Sequence, residues 1–138
     1  MAEDLSGYSW GLEWDFLAVD SVGHVAAVSA GPYGPVPDPV RAAGESAEYE
    51  ASAIAALPAV TRAIPADPSR DGNFSYWLSL SERGLFAYDW LDKSGPYTLI
   101  AAPADPLDVS SLPAGIQTAA RVLQLPHPFA GARQLDLS

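Results

Sequence analysis

An α+β fold follows from three features of this 138-residue chain. Two stretches, "WDFLAVDSVGHVAAVSA" and "GLFAYDWLDKSGPYTLIAAP", hold paired runs of apolar residues about a short turn, the pattern of a β-hairpin. Each is followed by apolar residues at spacings of three and four, the pattern of an amphipathic helix. Prolines and glycines separate the units. The simplest arrangement is one α+β domain over residues 1–138: two β-hairpins, each followed by a helix. They form a four- or five-stranded, mainly antiparallel sheet with the helices packed on one face.

The first hairpin rests on "WDFLAVD", which alternates Trp14, Phe16 and Ala18 with Asp15, Leu17 and Val19. "HVAAVSA" is its partner strand. Between them Asp20 accepts backbone N–H bonds at the first turn position, and Gly23 supplies positive φ at the last. "GPYGPVPDP" admits neither strand nor helix, because its prolines lack donors and restrict φ. Asp38-Pro39 reads as an N-cap followed by proline at the first helical position. Val40, Ala43, Ala47, Ala51, Ile54 and Leu57 then form one stripe up to Pro58, and Gly44 allows a later start at Ser46.

Residues 58–73 read as a proline-rich mobile connection. "FSYWLSLSE" reads as a short helix or turn entering the second hairpin. There Phe86, Tyr88 and Trp90 share one strand face, an aromatic row that a helix or a partner must cover. The second helix lies in "DVSSLPAGIQTAARVLQLP", with Ser111 as N-cap and Leu112, Ile116, Ala119 and Leu123 on one stripe. "RQLDL" supplies a short edge strand.

Composition narrows the chemistry. Hydrophobic residues make up 49% of the chain, many of them alanine, so four Trp, six Tyr and four Phe must fill much of the core. The absence of cysteine excludes disulfides, thiol catalysis and Cys-ligated zinc, and fits a reducing cytoplasm. The opening "MAEDLSGYSWGLEWD" lacks the basic region of a secretory signal, and apolar runs fall well short of the ~20 residues that span a bilayer. Abundant Ala and Pro, with Arg far outnumbering Lys, point to a high-GC bacterial genome. A net charge of -10 disfavours nucleic acid and anionic membranes as partners, and favours encounter with a basic one.

Specific site chemistry is sparse. His24 and His127 have no second ligand at metal spacing, so neither a metal nor a cofactor is expected. There is no G-x-S-x-G nucleophile elbow. "GPYGPVP" lacks the G-K-[ST] ending of a phosphate loop, and Pro32 and Pro35 remove N–H donors a phosphate would need. The loop does present Tyr33 between two glycines, an aromatic that is cheap in entropy to hold against a partner. Asp15, Asp20 and Asp89, on or beside strands, are candidates for acid–base work only if one is buried, and Asp20 already has a turn-capping role.

The pattern A-x-D-x-x-G-x-V-A in "AVDSVGHVA", the following glycine–proline loop, and "RGLFAYDW", "PYTLIAAPADPL" and "SLP" resemble small immunity-type proteins of bacterial polymorphic-toxin loci. The likeness covers residues 10–39 and 83–113. It implies a non-catalytic protein that binds and neutralises a cognate toxin, commonly a basic one. Glu13, Asp15, Asp20, Tyr33, Asp89 and Asp92 are the expected partner-binding residues. The alternative is a small-molecule or carbohydrate binder whose pocket is lined by Trp10, Trp14, Tyr88 and Trp90.

Overall fold

The computed structural model describes residues 15–49, 51–91 and 94–137. The strands are β1 (Asp15–Val19), β2 (Val25–Ser29), β3 (Ala63–Pro65), β4 (Phe86–Trp90), β5 (Tyr97–Pro103) and β6 (Gln134–Leu135). The α-helices are α1 (Asp38–Ala43), α2 (Ala51–Ala55), α3 (Ser75–Glu82) and α4 (Ala114–Arg121). The α+β class is as expected. All six strands form one sheet in the order β1-β2-β4-β5-β3, with β6 also on β5.

Both expected hairpins are present. In the first, Val19 faces Val25 and Phe16 faces Val28. In the second, Trp90 faces Tyr97 and Tyr88 faces Leu99. A β-bulge between Ala87 and Tyr88 resets that register. It explains why Leu99 and Ala101, two residues apart, contribute to opposite faces.

The sheet departs from expectation in three ways. β2 and β4 pair in parallel, Ala26 beside Phe86 and Ser29 beside Asp89, which joins the hairpins edge to edge. The proline-rich connection yields β3, so residues 63–65 are a strand rather than a loop. Cover is found on both faces, because both are apolar. The aromatic face carries Phe16, Val28, Phe86, Tyr88 and Tyr97, and packs against Val40 of α1 and against Leu123, Phe129 and Leu137. The aliphatic face carries Leu17, Val25, Ala27 and Ala87, and packs against Ile54 of α2, Leu80 of α3 and Ile116 and Ala119 of α4.

The helix expected over 38–57 is broken. Gly44 takes φ 54°, which stops α1, and a 3₁₀ turn over Gly44–Ala47 follows. Asp38 is not the N-cap. That position belongs to Pro37, and the Asp38 carboxylate instead pairs with Arg41 one turn on. Ser111 likewise does not cap α4. A 3₁₀ turn over Val109–Ser111 intervenes, capped by Asp108, which accepts the Ser110 N–H at 2.9 Å. Pro113 then opens α4.

The free edge of β3 is blocked by its own sequence. Ala66 N–H donates to Ile100 O, and Ala104 N–H to Arg62 O, so even-numbered residues here face β5. Pro65 therefore turns outward, where a strand would need the N–H it lacks.

Candidate functional site

The parallel pairing decides which residues meet. It brings the carboxyl ends of β2 and β4 to one end of the sheet, with the start of β1 and the start of β5. Across that end Asp15, Ser29, Asp89 and Thr98 lie opposite one another on successive strands. Strand alternation puts all four on the aliphatic-face side, because their odd-even partners Phe16, Val28, Tyr88 and Tyr97 lie on the aromatic one. Two carboxylates thus flank a serine, with one strand between them.

Two tyrosines feel the Asp15 end of this row. Burial first, and then the Asp15 carboxylate, hold the phenols of Tyr49 and Tyr76 above their ordinary range. Burial also pushes the Asp89 carboxyl up to about 6, with Asp15 adding to it and a hydrogen bond from the Trp90 backbone opposing it. Tyr76 is 47% exposed. A shallow cleft of about 420 Å³ lies beside Tyr49, lined also by Glu45, Glu48, Ala53, Gly115 and Ile116.

The glycine–proline loop leaves β2 at the same end. It is held from beneath: the Tyr97 hydroxyl donates to Pro35 O at 2.7 Å, Gly34 N–H donates to Ala30 O at 2.9 Å, and Arg41 Nε donates to Val36 O at 2.9 Å. Val36 is buried, whereas Tyr33 is 49% exposed. A rigid loop thus carries an outward aromatic.

Of the six expected partner-binding residues, Asp15, Tyr33 and Asp89 gather at this end. Glu13 and Asp92 lie outside the described residues, as do Trp10 and Trp14. Asp20 must be corrected. It lies at the opposite end of β1 and is 6% exposed. Its Oδ1 accepts N–H bonds from Val22 and His24 at 3.0 and 2.9 Å, and its Oδ2 accepts from Phe129 at 2.8 Å. The turn-capping reason for an aspartate there is satisfied, and no carboxylate oxygen is left for a partner.

Tyr88 is also withdrawn from any pocket, because it is fully buried and its hydroxyl donates to Ala132 O at 2.6 Å. Trp90 remains. With Pro35, Ser94, Pro96 and Gln134 to Leu137 it lines a cleft of about 520 Å³. Its ring lies 4.9 Å from that of Tyr97, edge to face.

The chain matches no family model, no curated protein and no solved structure.

Among the described residues no three His, Asp or Glu side chains are grouped to hold a metal ion. Nor is any helix there long and apolar enough to cross a membrane. Three of the arginines are held by other groups. Arg83 donates to the carbonyls of Ala55, Leu57 and Ser79, Arg133 to Ala66 O, and Arg70 sits over the Phe74 ring. Sequence reasoning missed Tyr49 and Tyr76 as neighbours of Asp15, because neither falls on a strand that pairs with β1. It also missed the tail residues that wall the larger cleft. The apolar–polar alternation of "RQLDL" was their only signal.

Proposed function

We propose that the chain is a non-catalytic, acidic protein-binding module. In this reading it is a cytoplasmic bacterial immunity protein whose partner is a basic toxin. The observation that carries the proposal is the convergence of Asp15, Asp89 and the braced Tyr33 loop on one end of the sheet. An aromatic on a rigid loop costs little entropy to dock, and flanking carboxylates steer a cationic surface towards it. The net charge of -10 adds to that steering at longer range.

The test is capture, on the tagged chain, of proteins encoded beside it and co-expressed with it. Tyr33→Ala, and Asp15→Asn combined with Asp89→Asn, should each weaken retention about tenfold or more without altering the far-ultraviolet spectrum. Retention that survives both changes would sink the proposal.

A second reading is favoured by one observation. The cleft beside Trp90 has the ~300–1,000 Å³ volume typical of small-ligand sites. A small neutral molecule or sugar that quenches Trp90 fluorescence, in a chain that captures no protein, would support it.

A further inference from the structure

We propose that the outer edge of β6 and the cleft beside it receive an extended segment of a partner protein, one that alternates apolar and basic residues. This deepens the protein-binding reading and rests on it.

The edge is open by geometry. Leu99 N–H donates to Arg133 O at 2.8 Å, and Leu135 stands opposite Tyr97. Arg133 and Leu135 therefore direct their backbone groups at β5, and Gln134 directs its N–H and C=O away from it. Gln134 is exposed, and its outward backbone groups have no partner among the described residues. The contrast with β3 is informative. Both strands lie along the same side of β5, yet β3 is closed to pairing by Pro65 and β6 carries no such block.

The cleft supplies the second half of the site. Its apolar lining is Pro35, Trp90, Pro96, Leu135 and Leu137. Trp90 also has a buried indole N–H with no acceptor among the described residues. A strand added at Gln134 would place alternate side chains over this apolar wall, as edge-strand recognition requires.

Charge specifies the other alternate positions. Gln134 lies opposite Thr98, which continues the row to Asp89, and Asp136 follows two residues along the tail. Side chains on that side of an added strand run beside Asp136, with Asp89 three strand spacings further in, and in a chain of net charge -10 arginine or lysine fits there better than glutamate.

The probe is an acetylated, amidated pentapeptide of sequence valine–arginine–leucine–arginine–valine, titrated into the whole protein and followed by amide and indole proton shifts. Movement of the Gln134 amide and Trp90 indole signals is expected, with protection of the Gln134 amide from exchange. Gln134→Pro removes an N–H that the fold does not use and should weaken binding at least tenfold. If that variant fails to fold, the wild-type protein is titrated with the peptide N-methylated at its leucine and flanking arginines, and the same loss is expected. Replacing both arginines by glutamate should abolish binding.

Peptide binding that moves Asp15, Asp89 and Tyr33 but leaves Gln134 and Trp90 unmoved would overturn this proposal and leave the protein-binding reading standing. Peptide binding at Gln134 that is indifferent to arginine or glutamate would overturn the basic character of the partner. A neutral disaccharide that shifts the Trp90 indole where the peptide does not would overturn both in favour of a small ligand.

Discussion

Two aspartates of similar sequence context do opposite things. Asp20 is enclosed, and both its oxygens take backbone N–H bonds that tie the first turn to the segment at Phe129. Phe129 in turn packs on Phe86 and Tyr88, so this carboxylate anchors a distant stretch to the aromatic face. Asp20→Ala strands those donors and should cost about 3 kcal/mol in urea unfolding. Asp89 carries a strain of a different kind. Its folded carboxyl holds a proton up to about pH 6, whereas an exposed aspartate releases it near ~4. Between these limits the folded chain binds more protons than the unfolded one, so stability falls as pH rises through the window. Asp89→Asn should remove that fall. The variant gains on the order of 1 kcal/mol over the native chain at about pH 8, discounted because the group is half-exposed, and nothing at about pH 4. Parallel urea titrations at the two pH values measure it, and a constant difference would refute the assignment. The role of Asp20 was legible in the sequence because Asp and Gly bracket a tight turn. Its bond to Phe129 was not, because nothing in the order of residues links positions so far apart.

The loop after β2 shows how one element is made stiff without regular structure. Gly34 has no room for a side chain: a Cβ there would lie 2.5 Å from the Tyr97 hydroxyl oxygen and 2.6 Å from Ala30 O. The carbonyl belongs to the backbone and cannot swing aside. Gly34→Ala should therefore cost about 2 kcal/mol by overpacking and free the loop that presents Tyr33. Thermal melts measure the first effect and partner capture the second. If stability falls while capture is unchanged, the bracing is irrelevant to binding. The strands of both hairpins could be read from alternation, and β6 from a weaker version of the same signal. The stretch 38–57 was misread as one helix because its alanines and Val40, Ile54 and Leu57 keep helical spacing across Gly44. One residue at φ 54° outweighs that pattern locally. β3 was hidden because prolines argue against strands, and an outward-turned proline on an edge strand is the exception to that rule.

The assembly of the hairpins was beyond reach of the sequence. Alternation tells which face a residue takes, but not whether a neighbouring strand runs with it or against it. The parallel seam of β2 and β4 is therefore invisible until the chain is folded, although it determines that Asp15, Asp89 and the Tyr33 loop share an end. Charge, by contrast, is plain from composition and belongs to the molecule as a whole. With a net charge of -10, the association rate with a cationic partner should fall several-fold as salt rises from about 0.05 to 0.5 M, while dissociation changes little. Stopped-flow mixing measures it, and a salt-independent rate would remove electrostatic steering from the account. The seam has a further consequence, for the time course of folding. Ala26 and Phe86 lie 60 positions apart, so closing this contact confines all the intervening chain, whereas each hairpin closes over a short turn. The two halves should therefore gain local order early, and joining them should be the slow event. Until they join, the β2 edge stays bare. A newly made chain would then be most prone to aggregation while its first half waits for the second.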